Sequence, residues 1–119
     1  MAERVLNISV RAAGSATIVD LEGGIDIRNS TVLRSRLLET VTATPRLALN
    51  MTGIDYVDSS GIATLVEILK KSRDLNKHFV LFGLRPRVFE VLKLTQLLPY
   101  FQIFDTEAQA LEGTADAEH

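Results

Sequence analysis

Apolar positions along the chain change their spacing several times, and the changes mark out secondary structure. In "RVLNISVRA", Val5 or Leu6, Ile8 and Val10 alternate with polar residues, and "SATIVDLEG" carries the β-branched run Thr17, Ile18 and Val19. The "AAGS" between them is a turn, so the spacing predicts an opening hairpin. After "EGGIDIRNS", where Asn29 or Ser30 can cap a helix, Leu33, Leu37, Leu38 and Val41 share one helical face while Arg34, Arg36 and Glu39 lie largely on another. "PRLALNM" follows as a short buried strand. In "DYVDSSGIATLVEILK", Ile62, Leu65, Val66 and Leu69 line the clearest helix of the chain, with Glu67 three and four residues before Lys70 and Lys71 on its solvated face. "KHFVLFG" reads as a strand, "RPRVFEVLKL" as a helix with Pro86 in its first turn and Val88, Val91 and Leu92 inward, and "FQIF" as a last short strand. A helix begins at Thr106, where Gln109 completes a T-x-x-Q capping box. The small, polar "EGTADAEH" that follows, residues 112–119, reads as a flexible tail.

This order predicts an α/β fold: a mixed, largely parallel sheet with an N-terminal hairpin and four helices. At 119 residues the chain is expected to form one domain, 1–119, with an ordered core over about 5–111. In such sheets the functional loops gather at the carboxyl ends of the strands. Two loops qualify, "EGGIDIRNS" and "TGIDYVDSSG", and adjacent parallel strands would set them side by side. Asp26 and the Asp58-Ser59-Ser60 group would then share one acidic, hydroxylated patch.

Charge and composition remove several function classes. Thirteen basic residues against fifteen acidic give a net charge of −2, which supplies no basic surface for a nucleic-acid backbone. The chain has no cysteine and only two histidines, His78 and His119, so thiolate chemistry is absent and a metal site is not expected. Neither a signal-length apolar stretch at "MAERVLNISV" nor a run of about 18 apolar residues occurs, so membrane insertion is not expected and a cytoplasmic location is.

The patch itself lacks the marks of an enzyme. G-x-S-x-G, GxxxxGK[ST] and GxGxxG are absent, and Asp26 with Asp58, the one candidate carboxylate pair, comes with no evident sugar cleft. A receiver-type phosphoacceptor would need an aspartate at the strand end, where this reading places Asn50 and Met51. No catalytic residue and no cofactor of its own are therefore expected. Asp58 or Ser59 is expected to cap the helix, yet Gly61 in its first turn costs roughly 1 kcal/mol against alanine. Small residues are expected to keep this turn open to an approaching partner.

"VDSSGIATLVEILK" resembles the D-S-S/T-G-L-G pattern of the STAS-domain anti-sigma-factor antagonists, "GGID" is similar to that family's G-x-[LI]-D loop, and "LRPRVFEVLKLTQLLPYFQIF" resembles its third helix and final strand. The likeness runs from about Val5 to Leu111. It implies a STAS-type fold and a non-enzymatic partner switch in which Ser59 is phosphorylated by an anti-sigma factor acting as a serine kinase. ATP and magnesium would belong to that kinase, and a PP2C-type phosphatase would reset the switch. Asp26, Asp58, Ser60 and Gly61 would contact the partner. Two positions depart from the pattern: Gly24 stands where some phosphorylated members carry an acidic residue, and Ala63 replaces the second glycine of G-L-G. The same fold also serves accessory subunits that bind the ATPase of a lipid-transport ABC system without phosphorylation, which is the alternative reading.

Overall fold

The computed structural model describes residues 5–116, with side chains as far as residue 113. Strands β1 (Leu6–Ala13) and β2 (Ala16–Ile25) form the expected antiparallel hairpin, closed by a two-residue turn in which Gly14 takes a φ of 63°. A positive φ at the first central residue suits glycine and matches the twist of a tight hairpin. The chain then alternates: α1 (Ser30–Ala43), β3 (Arg46–Val57), α2 (Ser59–Asp74), β4 (His78–Phe82), α3 (Pro86–Leu94), a short 3₁₀ turn at Leu98–Tyr100, β5 (Gln102–Phe104) and α4 (Glu107–Asp116). The five strands lie in chain order in one sheet, with β2 through β5 parallel.

Strand side chains alternate between two faces, and each face has its own core. Val19, Leu21, Leu47, Leu49, Met51, Phe79 and Leu81 meet Leu33, Leu37 and Val41 of α1, Leu65 and Ile68 of α2, and Val88 and Leu92 of α3. Ile18, Ala48, Val80 and Phe82 point the other way, against Ala110 of α4. The capping box at the start of α4 forms in both directions: Gln109 N–H donates to Thr106 Oγ1 at 3.2 Å, and Thr106 N–H to Gln109 Oε1 at 3.3 Å.

The helix does not stop where composition suggests. It continues to Asp116, into the segment expected as a flexible tail, and only residues 117–119 of that segment lie outside the described residues. Its glycine has a packing reason: a Cβ on Gly113 would stand 2.2 Å from Cζ of Phe104, so the bare backbone lets the ring lie against the helix.

The two strands that lead to the candidate site are longer than their sequences suggest. β2 extends through "EGGI" and β3 through "TGIDYV", which shrinks the expected loops to residues 26–29 and to Asp58 alone. β4 pairs with β3 only as far as Asn50, whose partner is Phe82. Beyond that point, among the described residues, β2 is the strand that β3 pairs with, and Arg85 Nε donates to the Thr52 carbonyl at 2.9 Å, so this stretch carries exposed polar residues and mimics a loop. Register shifts between Asp20 and Glu22 and between Gly23 and Gly24 keep the ladder going. Gly53 permits the close approach there, since a Cβ would fall 2.7 Å from the Leu21 carbonyl oxygen.

Within α2, Ile62, Leu65 and Leu69 are buried as expected, but Val66 is half-buried and Thr64 and Ile68 take core positions. Glu67 turns away from Lys70 and Lys71 to pair with Arg34 of α1 at 2.6 Å. That pair joins neighbouring helices, although both partners are exposed enough for water to screen it.

Gly61 packs inward. A Cβ there would lie 2.7 Å from Val57 Cγ1 and 2.8 Å from Ile25 Cγ2, both on rigid β-branched side chains in the core. The glycine therefore seats the first turn of α2 on the ends of β2 and β3, which corrects the expectation that it keeps the outer surface open. Gly61→Ala gains about 1 kcal/mol of helix propensity and incurs about 1–3 kcal/mol of overpacking. Denaturant titration of the variant is expected to show a net loss of stability; a gain would mean that the turn has room to spare.

Candidate functional site

Parallel pairing carries β2 and β3 to the same end of the sheet, where Ile25 lies beside Val57. The chain leaves β2 through Asp26–Asn29, a loop held by its own polar groups. Asp26 Oδ1 accepts from Arg28 N–H at 2.9 Å, Asn29 Oδ1 from Asp26 N–H at 3.0 Å, and Asn29 Nδ2 donates to the Gly24 carbonyl at 2.8 Å. Asn29 is the residue before α1, but its side chain makes no capping bond to the helix. Both ends of its amide are committed to the loop instead.

On the neighbouring strand a single residue separates β3 from α2. Asp58 is that residue and the N-cap: Oδ1 accepts from Ser60 N–H at 2.9 Å and Gly61 N–H at 3.1 Å. Its other oxygen, Oδ2, accepts from Ile27 N–H at 3.2 Å, and its own N–H donates to the Ile25 carbonyl at 3.1 Å. One carboxylate thus ties the two loops together, and the expected juxtaposition of Asp26 with Asp58-Ser59-Ser60 is present. Partial burial of Asp58 works against its ionisation. The bonds from the Ser60 hydroxyl and from the N–H groups of Gly61, Ser60 and Ile27 outweigh that effect and hold its carboxyl below the ordinary carboxylate value.

The two serines differ in their surroundings. Ser60 is half-buried and its Oγ donates to Asp58 Oδ1 at 2.5 Å. Ser59 is the first residue of the helix and exposed, and its hydroxyl has no hydrogen-bond partner among the described residues. Between the two capping candidates, Asp58 takes the role and Ser59 does not. Gly61 is buried and faces Val57 and Ile25, so it belongs to the support of the patch and not to its outer surface.

Ile27 lies outside the residues that the sequence motifs mark. It is 76% exposed beside this patch while its backbone is pinned to Asp58. The signal was available: an apolar residue between Asp26 and Arg28, in a segment too short and polar to have a core face of its own. Among the described residues no group of His, Asp or Glu side chains is placed to hold a metal ion, and no helix is long and apolar enough to cross a membrane.

Known proteins resemble the chain at both levels. An anti-sigma-B factor antagonist of Listeria monocytogenes is 32% identical over 63 residues, which cover 53% of this chain and 55% of that protein. The chain thus aligns with about half the length of that relative. An anti-sigma factor antagonist of Mycobacterium paratuberculosis superposes with a TM-score of 0.85 at 19% identity, covering 93% of this chain and 95% of the other. The phosphorylated form of the Bacillus cell fate determinant SpoIIAA superposes with a TM-score of 0.69 at 16% identity, covering 91% and 97% respectively. The STAS domain family model matches residues 7–110, spanning the sheet and its helices from β1 into α4. The five-stranded mixed sheet, the inward-facing helices and this match over most of the sequence agree, and the chain belongs to the STAS domain family.

Proposed function

We propose that this STAS domain is an anti-sigma factor antagonist, a non-enzymatic cytoplasmic switch that binds an anti-sigma factor serine kinase through the patch around Ser59 and is released when Ser59 is phosphorylated. A PP2C-type phosphatase restores the binding form. ATP and magnesium are supplied by the kinase. The observation that carries this reading is the difference between the serines: Ser59 offers an exposed, uncommitted hydroxyl, whereas the Ser60 hydroxyl is held by Asp58. Asp26, Ile27 and Ser60 flank the acceptor. Ile27 gives the partner an apolar anchor in an otherwise polar patch.

The helix N-terminus tolerates the modification in a particular way. Its dipole favours an anion, but the N–H groups of Ser60 and Gly61 already donate to Asp58. A phosphate on Ser59 therefore gains the dipole without those donors, and the neighbouring carboxylate repels it. It projects outward, toward the surface the partner covers. The switch acts on that surface and leaves the fold in place.

Adding ATP to the native complex tests this reading. When the protein is isolated from its own cells with its bound partners and ATP is added, intact mass is expected to rise by one phosphate, mapped to Ser59. Ser59→Ala is expected to stay unmodified and to retain the partner. Phosphorylation of that variant at Ser60, or recovery of transporter subunits alone, would overturn the assignment.

Ser59→Asp supplies about one negative charge where phosphate supplies about 1.5–2. Calorimetric titration against the unmodified-state partner is expected to show about tenfold weaker binding for the variant and a larger loss for the phosphoprotein. Thermal melts are expected to change little, because the added carboxylate sits at the favourable end of the dipole.

Asp58→Ala removes the cap and is expected to cost about 1 kcal/mol near neutral pH. Because folding lowers the Asp58 pKa from its ordinary 3.8, its contribution is present above that value and is lost as pH falls through the lower folded one. Urea titrations are expected to separate wild type from variant at pH 7 and to bring them together as the carboxyl protonates. A gap that persists at acidic pH would assign the effect to packing.

A further inference from the structure

Strand β1 forms one margin of the sheet, and among the described residues nothing pairs with its outer side. Its backbone polarity can be read from the hairpin. Register pairs Leu6 with Gly23 and continues without a shift to Ala13 with Ala16, while Gly24 N–H donates to the Val5 carbonyl. The odd-numbered residues of β1 therefore turn their N–H and C=O groups toward β2, and Leu6, Ile8, Val10 and Ala12 turn theirs outward.

The outward residues are all apolar, and their side chains share the face of the sheet that bears α1, α2 and α3, where Leu6 and Ile8 pack against the core. Val10, next along that stripe, is left 46% exposed. The usual protections of an edge are missing: β1 has eight residues with no proline and no lysine, and its register with β2 shows no bulge. Its one charge, Arg11, is drawn onto the sheet's opposite face by Asp20 at 2.7 Å and by Glu107.

We propose that β1 is a self-association edge, which pairs antiparallel with β1 of a second copy about a two-fold axis through Ser9. This inference is independent of the switch at Ser59. The choice of a second copy follows from the register. With Ser9 opposite its twin, Leu6 meets Ala12 and Ile8 meets Val10, so every outward N–H and C=O from Leu6 to Ala12 finds a partner. Asn7 then faces Arg11, and no like charges are opposed. Moving the axis to Ile8 or to Val10 leaves part of the outward set unmatched. The paired strands join two sheets into one and cover the exposed Val10 with Ile8 of the second copy.

The absence of cysteine makes the register directly testable in the full chain. Ser9 would form a non-hydrogen-bonded pair with its twin, at a Cα separation of about 4.5 Å that a disulfide can span. Asn7 residues in the same dimer would lie about 13 Å apart along the strands, beyond such a bond. Under mild oxidation Ser9→Cys is expected to give a disulfide-linked dimer on non-reducing gels, and Asn7→Cys, an equally exposed position, is not.

Val10→Pro removes an outward donor that β2 does not use, so it is compatible with the parent fold. Sedimentation equilibrium is expected to show concentration-dependent dimerisation of wild type, weakened about tenfold or more by that substitution through loss of one donor in each copy. Monomeric wild type with no cross-linking at Ser9, or equal cross-linking at both cysteines, would overturn the proposal. If Val10→Pro fails to fold, the cysteine pair still decides it.

Discussion

The parallel ladder between β2 and β3 sets the position of nearly everything else in the molecule. It runs from Ala16 beside Arg46 to Ile25 beside Val57, further than the pairing of β3 with β4, and its bulges absorb the mismatch without ending it. Because both strands finish together, the turns that follow them must share space. Asp58 then needs only one carboxylate to serve the donors of α2 on one side and Ile27 on the other. A ladder that stopped at Asn50 would leave two independent loops and no common patch.

That arrangement explains why the glycine and the serines next to Asp58 have separate tasks. Gly61 lacks a side chain because Val57 and Ile25 occupy the space where one would begin. Ser60 completes the set of donors on Asp58, and Ser59 projects from the same turn with nothing among the described residues to hold its hydroxyl. Three adjacent small residues look equivalent in a sequence. In the fold one faces the core, one faces the cap and one faces solvent.

The order of strands and helices was legible because each element has a clear period or a clear stop, as with Pro86 at the start of α3 and the T-x-x-Q box before α4. The ends of β2 and β3 were not. "EGGI" and "TGIDYV" combine glycine with exposed polar residues because β4 no longer covers that part of β3, and exposure on a paired strand looks the same as exposure on a loop. The length of α4 was hidden for a related reason: Gly113 reads as a breaker until the Phe104 ring that needs its bare backbone is placed beside it. At the site, the nearness of Asp26 to the second acidic loop followed from topology alone. The different states of Ser59 and Ser60 depend on hydrogen-bond geometry that no residue pattern encodes, and Glu67 likewise chose a partner on α1 that local spacing does not reveal.

The junction between β3 and α2 is one residue long, and that brevity bears on how Ser59 can be recognised. Residues before it are locked in the sheet and residues after it are wound into a helix, so the segment cannot be drawn out into an extended strand without dismantling both. Under the proposed switch, a kinase acting on this hydroxyl would meet a three-dimensional relief assembled from two separate parts of the chain, with Ile27 and Asp26 contributed from more than thirty positions upstream. Its selectivity would reside in that relief. A short linear peptide copied from the neighbourhood of Ser59 carries the letters of the site without the object that is read.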